Sequence, residues 1–464
     1  MDTHDTIVAV ATPVGVGGIG IIKISGSLCR AIAENIFCRK GNAASQALRP
    51  HHLHFGWIVD PATRETIDEV LLAYMPGPAS YTREDVVEIQ CHSGYYVLER
   101  ILGTVLSRKG VRLAEPGEFT RRAYINGRIN LTQVEAIFDL VNARTGLALR
   151  QANDQLGGAL SKAIFALKET AVELLTHIES GIDFPEEDME VLSSADVLTR
   201  LRGLHVEMDQ LLSTYEEGRI FREGIKATII GRPNVGKSSL LNALLEEERA
   251  IVSHVPGTTR DTIEEDINVC GIPVTFVDTA GLHNRAVVDS IEEKGFQRTR
   301  AKASTADLVL FVVDKSTAFT DGDVVIFQEF REKKMVIVLN KSDLPSGLNE
   351  ERLPREFQDH RRVSISAKYH QGIDELKETI QTAVLRHDGS SSMPAFLNRL
   401  RHKVSLEKAR AGISQAIRSL ENGASVEFAA FDLRCVLDNL GEVVGETTTD
   451  DILDNIFSSF CIGK

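Results

Sequence analysis

The strongest local signal in the chain is the stretch Gly231-Arg-Pro-Asn-Val-Gly-Lys-Ser238. It follows the apolar, β-branched run Ile225–Ile230 and precedes a helix-forming segment at residues 239–245. A strand, a glycine-bounded loop ending in Lys-Ser and a helix are the three parts of a phosphate-binding P-loop. The loop amides and the helix N-terminus attract phosphate, Lys237 reaches the β and γ oxygens, and Ser238 can ligate magnesium. The sequence therefore predicts a nucleotide-binding domain.

Length, charge and cysteine content limit the class of protein. The chain has 464 residues, 43% of them hydrophobic, which is enough for two or three cores. Its formal net charge of -14 disfavours generic nucleic-acid binding, because phosphate affinity needs clustered Lys and Arg. The six cysteines form no C-x-x-C pair, so no zinc site or disulfide framework is expected and most should be buried. With no membrane span and no signal peptide expected, the protein is predicted to be cytoplasmic.

The hydrophobic pattern changes along the chain and predicts a multidomain protein. Residues 1–118 mix β-rich runs with amphipathic segments, as in an α+β domain. Helical periodicity fills residues 119–219 and resumes in residues 384–464. Between them, residues 220–383 alternate apolar runs with helices, which indicates a parallel sheet covered on both faces. We expect an α+β N-terminal domain and an all-α helical domain into which an α/β P-loop GTPase domain is inserted.

A second glycine pattern lies near the start of the chain. Gly15, Gly17 and Gly20 match the G-x-G-x-x-G spacing of a dinucleotide-binding turn. Another β-like run follows where that fold needs a helix. Turn glycines are therefore favoured over a nicotinamide or flavin site.

Two motifs after predicted strands identify the nucleotide. In Asp278-Thr-Ala-Gly281 the aspartate can hold the magnesium shell and the glycine amide can face the γ-phosphate. In Asn340-Lys-Ser-Asp343 the Asp343 carboxylate can accept two hydrogen bonds from guanine, whereas adenine offers no matching pair of donors. Backbone amides of Ser366-Ala-Lys368 can complete the pocket. The combination predicts GTP.

The order and spelling of these motifs resemble the Era-like GTPases of the translation-factor class. Relatives that hydrolyse GTP with a glutamine place it directly after Asp-x-x-Gly, where this chain has Leu282. Leucine cannot orient water, so hydrolysis needs another residue and another source of positive charge. Asp289, Glu292 and Glu293 in the following loop are the candidate carboxylates.

Three further segments narrow the resemblance: Asp5-Thr-Ile-Val-Ala-Val-Ala-Thr-Pro13, Pro116-Gly-Glu-Phe-Thr-Arg-Arg-Ala123 and Phe457-Ser-Ser-Phe-Cys-Ile-Gly-Lys464. Together with the inserted domain they look like the MnmE/TrmE family of tRNA-modification GTPases, over essentially the whole chain. The resemblance implies a homodimer whose GTPase domains meet across potassium. With the FAD protein MnmG, in a heterotetramer, it would modify the 5-carbon of wobble uridine 34 in certain tRNAs. The one-carbon donor would be 5,10-methylenetetrahydrofolate or a 5-formyltetrahydrofolate-like folate.

The resemblance also assigns roles in the nucleotide site. Thr259 would join Ser238 on magnesium, and potassium would supply the charge that an arginine finger gives elsewhere. The family's water-orienting glutamate lies in a Glu-x-x-Gly pattern that matches Glu292-Glu-Lys-Gly295, with Glu293 as the alternative. The potassium ligands implied are Asn234, Ser253, Val255 and Thr258. The full set of expected GTP-binding residues is Asn234, Val235, Gly236, Lys237, Ser238, Ser239, Ser253, Thr259, Asp278, Thr279, Ala280, Gly281, Asn340, Lys341, Asp343, Ser366 and Ala367.

For the folate, the resemblance points to residues 1–118 and to four charges: Lys23, Glu88, Arg128 and Lys464. A carboxylate such as Glu88 suits the pterin amine and ring N–H, while the cations suit the glutamyl tail or the pterin carbonyl. Residue type alone would make all four surface charges. Cys461 is either a nucleophile or a packed side chain.

Two function classes fit these motifs. The first is a GTP-hydrolysing enzyme of tRNA modification. The second is a GTPase switch that assists ribosome or RNP assembly without chemistry on RNA. The N-terminal domain and the terminal tail favour the first.

Overall fold

A computed structural model describes residues 5–39, 48–183, 193–248, 265–277, 306–349, 353–385 and 395–464. Packing divides the chain into two compact units. The first comprises Met1–Phe138, Leu156–Val172 and Leu433–Lys464, and the second comprises Asp139–Gln155 and Glu173–Asp432. Several of these boundaries fall inside helices, so the four domains expected from the sequence stay a prediction.

The first unit contains a sheet that is mainly antiparallel. Its strands are β1 (Thr6–Val10), β2 (Gly20–Ser25), β3 (Phe37–Cys38), β4 (Leu53–Val59), β5 (Thr66–Met75), β6 (Val86–Cys91) and β7 (Val111–Leu113). Among the described residues their order is β3-β4-β5-β6-β2-β1-β7. Neighbouring strands pair antiparallel except β1 and β7, which are parallel.

Helices occupy most of the remaining described chain. In chain order they are α1 (Cys29–Ile36), α2 (Tyr95–Leu106), α3 (Glu118–Ile125), α4 (Leu131–Asn142), α5 (Gly146–Leu156), α6 (Ala159–Asp183), α7 (Ser194–Ser213), α8 (Tyr215–Glu223), α9 (Lys237–Glu248), α10 (Asp321–Phe330), α11 (Ile373–Val384), α12 (Leu400–Glu421), α13 (Val426–Val444) and α14 (Asp450–Ser458). Within this part of the chain, none combines the length and the apolar character that a membrane crossing requires.

The core of the first unit lies between its sheet and helices α1 and α2. On α1 the buried residues Cys29, Ile32, Ala33 and Ile36 follow the i, i+3, i+4, i+7 spacing of an amphipathic helix. They pack in one cluster with buried side chains of α2 and of strands β2, β5 and β6, among them Leu98, Ile101, Ile22, Ile24, Leu72 and Ile89.

The second unit contains a sheet that is mainly parallel. Its strands are β8 (Ile225–Ile230), β9 (Glu265–Val269), β10 (Ile272–Phe276), β11 (Leu308–Asp314), β12 (Met335–Asn340) and β13 (Arg361–Ser364). Their order in the described chain is β13-β12-β11-β8-β10-β9, and only β9 and β10 pair antiparallel.

Strand β11 is buried along its full length. A continuous apolar run of this kind is typical of a parallel strand covered on both faces. Strands β8 and β12 run parallel to it on either side. Because carboxyl ends of parallel strands lie at one edge of a sheet, the loops after β8, β11 and β12 meet there. This edge holds the P-loop, Asp314 and Asn340.

The fold class expected from the sequence is confirmed. In the first glycine cluster, Gly20 lies in a strand and not in a turn. Strand β2 begins at Gly20 and pairs antiparallel with β1, so no helix N-terminus follows these glycines to receive a pyrophosphate. The sequence pattern did not predict β3, β4, β7 or β9. The expectation that most cysteines are buried is wrong: Cys29 and Cys91 are buried, whereas Cys38, Cys270, Cys435 and Cys461 are exposed.

Candidate functional site

The P-loop joins β8 to α9 through a backbone that only glycine can follow at two points. Gly231 has a φ of 148° and Gly236 a φ of 96°. A Cβ at Gly231 would collide with the carbonyl oxygen of Val312, and one at Gly236 with the side-chain amide of Asn340. These glycines therefore allow a close approach between the loop and the neighbouring strands.

Lys237, the first residue of α9, folds back over the loop. Its Nζ donates to the carbonyl oxygens of Gly231 at 2.9 Å and of Arg232 at 2.7 Å. Two of the three donors of the ammonium group are thus directed at the loop. Burial lowers the pKa of Lys237. These contacts hold the side chain against the loop that the sequence predicts to bind phosphate.

Asn340 links three segments of the site. Its Nδ2 donates to the carbonyl oxygen of Val235 at 2.9 Å, and its Oδ1 accepts from the backbone N–H of Ala367 at 3.1 Å. The residue is only 3% exposed. One buried amide thus joins the P-loop to the two motifs that the sequence predicts to contact the base.

Asp343 and Lys341 of the Asn340 motif also have partners. Ser366 Oγ donates to Asp343 Oδ1 at 2.6 Å, which joins the two motifs expected to contact the base. Lys341 has a φ of 65°, and its Nζ lies 2.6 Å from Asp314 Oδ2. Burial acts to raise the pKa of Asp314, but hydrogen bonds from Lys341 and Ser316 outweigh burial and hold that pKa below its usual range.

Asp314 was not among the residues predicted from the sequence. The available signal is an acidic residue at the end of a fully buried strand. Such a carboxylate needs a partner in the fold.

The remaining predicted residues of this site divide into two groups. Ser238 and Ser239 are in the first turn of α9, and Asn234 is exposed with a φ of 62°, a left-handed conformation that asparagine tolerates. The residues outside the described part of the chain are Ser253, Val255, Thr258, Thr259, Asp278, Thr279, Ala280, Gly281, Glu292 and Glu293.

A cavity of about 510 Å³ in the first unit holds three of the four residues predicted for folate. Lys23, Arg128 and Lys464 line it. Glu88 lies behind Lys23, with its Oε1 3.7 Å from Lys23 Nζ. The other lining residues are Tyr81, Ile129, Gln133, Ile137 and Leu156.

Aromatic rings and buried charge define the chemistry of this cavity. Lys23 Nζ lies 5.1 Å from the ring centre of Tyr81 and 5.3 Å from that of Phe119, and the Arg128 guanidinium lies 4.7 Å from the Tyr81 ring. Burial lowers the pKa of Lys23; Glu88 opposes this effect and Lys464 adds to it. The cavity suits a flat ring system that carries anionic groups.

The C-terminal tail is attached to the start of α3. The backbone N–H of Phe119 donates to the Lys464 carbonyl oxygen at 3.1 Å, and that of Gly117 donates to the Cys461 carbonyl oxygen at 3.4 Å. This attachment brings Lys464 to the cavity. The Cys461 side chain is exposed, so the alternative that it is packed is wrong; its role as a nucleophile stays a prediction.

Sequence reasoning missed the aromatic and amide residues of the cavity. Phe119 lies in the quoted segment at residues 116–123, but its contact with Lys23 depends on the fold. Tyr81 and Gln133 carry no local signal. Gln133 Nε2 donates to the Leu156 carbonyl oxygen at 2.9 Å, a contact between residues far apart in sequence.

Two family models match the chain. The MnmE helical domain matches residues 131–461, and the N-terminus of the GTP-binding protein TrmE matches residues 6–128. The first match alone covers more than half of the chain.

Curated relatives match at full length. The tRNA modification GTPase MnmE of Syntrophus aciditrophicus (strain SB) is 47% identical over 460 residues, 99% of each chain. The protein of the same name from Clostridioides difficile (strain 630) is 43% identical over 464 residues, 100% of each chain. Among solved structures, the G domain of the T. maritima FeoB iron transporter is 25% identical and covers 35% of this chain and 99% of its own, with a TM-score of 0.24, too low to carry an argument. On its family models and full-length relatives, the chain belongs to the MnmE family of tRNA modification GTPases.

Proposed function

We propose that this chain is a GTP hydrolase that takes part in tRNA modification. The observation that carries the proposal is the Asn340 side chain, which connects the P-loop at Val235 with the base-recognition loop at Ala367. A phosphate-binding motif and a guanine-binding motif thereby form one site. Full-length likeness to tRNA modification GTPases supports the same function.

The residues of this site have separate tasks. Lys237 would neutralise the β- and γ-phosphates, and Asp343 would accept hydrogen bonds from guanine. Ser238 and Thr259 would hold magnesium. The hydroxyl of Ser238, next to Lys237 at the start of α9, is the kind of oxygen ligand that magnesium prefers.

Potassium is proposed as the source of positive charge for hydrolysis. Asn234 would be one ligand, with Ser253, Val255 and Thr258. The exposed left-handed turn at Asn234 leaves an amide in reach of an ion, and amide and carbonyl oxygens are suitable donors for it. Glu292, or Glu293 as the alternative, would orient the attacking water.

A reduced folate fits the cavity of the first unit. Lys23, Arg128 and Lys464 supply cations for carboxylates, and Tyr81 supplies an aromatic face. A volume of about 510 Å³ lies in the range of small-molecule sites. When bound, the folate would donate the one-carbon unit. The protein's own part is to orient the ring and pair its charges.

The proposal extends to partners and substrate. The chain would form a homodimer and would assemble with MnmG into a heterotetramer. This complex would modify the 5-carbon of the wobble uridine in certain tRNAs. The four expected domains would have different roles. Residues 1–118 would bind the folate, and residues 220–383 would bind GTP. Residues 119–219 and 384–464 would form the helical domain that joins them.

GTP binding and turnover by the purified full chain provide the first test of the proposal. GTP turnover should require potassium and should not be sustained by sodium, because ligand spacing around Asn234 must fit the larger ion. Glu292→Ala should bind GTP and lose most turnover, since its carboxylate would act on water. Equal rates in both salts would contradict the potassium assignment. An unaffected variant would move the water-orienting role to Glu293.

Equilibrium binding of 5-formyltetrahydrofolate is the second measurement, and it separates a modification enzyme from an assembly switch. Lys23→Ala should bind the folate about tenfold more weakly, because it removes one charge-assisted contact. Lys109→Ala removes an exposed cation of the same unit and should bind like the wild type. No binding by the wild type would favour the assembly switch.

A further inference from the structure

Arg232, the second residue of the P-loop, forms an ion pair with a side chain of helix α10. Arg232 Nε donates to Asp323 Oδ1 at 2.7 Å. The Asp323 side chain is fully buried, and Asp323 is the third residue of α10. A buried carboxylate requires such a partner, and a hydrogen bond between two charged groups is stronger than one between neutral groups.

The start of α10 fixes the carboxylate from its other side. Asp323 Oδ2 accepts from the backbone N–H of Thr320 at 3.0 Å and from its hydroxyl at 2.9 Å. A Cβ at Gly322 would lie 3.3 Å from Cδ of Arg232, so the arginine stem runs along this glycine. Both oxygens of Asp323 are therefore used, one by its own helix and one by the P-loop.

The backbone of Arg232 continues this connection to the phosphate-binding lysine. Its carbonyl oxygen accepts from Lys237 Nζ at 2.7 Å, beside the Gly231 carbonyl at 2.9 Å. The conformation of Arg232 thus sets the position of one of the two carbonyls that hold Lys237. A chain of contacts runs from α10 through Asp323 and Arg232 to Lys237.

We propose that Asp323 and Arg232 are positioning residues that hold Lys237 ready for the β- and γ-phosphates of the nucleotide. The inference rests on the proposed function, in which that nucleotide is GTP. A lysine held by two carbonyls loses less conformational freedom on binding than an unrestrained one, so breaking the ion pair weakens binding. The effect is confined to nucleotides with a β-phosphate, because Lys237 reaches no further toward the base.

The test measures affinity of the full chain for GTP, GDP and GMP by calorimetry. Asp323→Asn and Arg232→Gln should each weaken GTP and GDP binding about tenfold and leave GMP binding unchanged. Arg232→Lys, which keeps the charge, should recover part of the loss. Asp321→Asn makes the same change on an exposed residue of the first turn of α10 and should match the wild type.

The double variant completes the experiment. If the two residues act through one ion pair, Asp323→Asn with Arg232→Gln should bind GDP no more weakly than either single variant. Additive losses would overturn the inference, and so would equal weakening of GMP, which indicates general damage to the domain. Affinities for GTP and GDP within twofold of the wild type would overturn it as well. A wild type that binds no GTP would instead contradict the proposed function.

Discussion

At the scale of single residues, Asn340 shows how much organisation one buried side chain provides. Its amide has both a donor and an acceptor partner, so burial leaves neither group unsatisfied. The residue type and its motif could be predicted from the sequence. The contact with Val235 could not, because 105 positions separate the two residues and only the sheet brings them together.

Cys91 gives a residue-scale prediction about pH. Burial, with Asp68 as a second cause, raises the pKa of its thiol from 9.0 to about 11. Between these pH values the unfolded chain releases the proton and the folded chain keeps it, so stability falls as pH rises. The stability advantage of the wild type over Cys91→Ala should therefore shrink across this interval. Urea unfolding at several pH values measures it.

A second variant serves as an internal check on that result. Burial also raises the pKa of the Cys29 thiol, so Cys29→Ala should show the same sign of pH dependence. An advantage over Cys91→Ala that is constant from pH 9 to pH 11 would contradict the burial of Cys91.

At the scale of elements, the C-terminal tail places the charged side chain of Lys464 at the cavity of the first unit. Helix α3 begins at Glu118, and backbone N–H groups at its start donate to carbonyl oxygens of the tail in place of solvent. Gly463 adopts a φ of 96° beside β1. This turn allows the last residue to reach the cavity that Lys23 also lines.

Gly463→Ala should displace the tail. The new Cβ would lie 2.6 Å from the carbonyl oxygen of Val10 and 2.8 Å from Cα of Ala11, and both of these are backbone atoms. We expect binding of 5-formyltetrahydrofolate to fall about tenfold, because Lys464 leaves the cavity. GTP affinity should not change. Calorimetric titration with each ligand measures both effects.

Gly423→Ala is the matched control for that change. Gly423 has a φ of 68°, and nothing lies within 4 Å of a Cβ built on it, so the variant has a similar backbone penalty without the collision. Folate binding that falls equally in both variants would show that backbone strain, and not the position of the tail, explains the loss.

At the scale of the whole molecule, the Asp139 carboxylate in the second unit contacts the segment that enters the P-loop domain and the segment that leaves it. Asp139 Oδ1 accepts from Arg222 Nε at 3.1 Å and from Arg399 Nη2 at 2.6 Å. Arg222 lies at the end of α8, directly before β8, and Arg399 lies just before α12. The Asp139 side chain is only 7% exposed. The incoming and returning segments are thus joined within one unit.

Asp139→Ala should lower the apparent free energy of unfolding by about 3 kcal/mol, because Arg222 and Arg399, both partly buried, lose the buried carboxylate that they share. Urea unfolding of the full chain measures the loss. Glu173→Ala is the control: its ion pair with Arg200, at 3.7 Å, is about half exposed, and pairs of this kind contribute less than about 1 kcal/mol. Equal losses in the two variants would contradict a special role for Asp139.

Sequence patterns predict many of the local elements and identify the nucleotide motifs, although they miss the strands β3, β4, β7 and β9. Strand β8 and the P-loop follow from apolar runs, glycines and a Lys-Ser pair within a few residues, where short-range sterics and hydrogen bonding act. Only the tertiary structure shows which residues from different elements lie close together. Arg232 pairs with Asp323, and Lys341 pairs with Asp314. Lys464 lines the same cavity as Lys23. The partners in each case are distant in sequence. These arrangements depend on strand order and chain path, which local patterns do not encode.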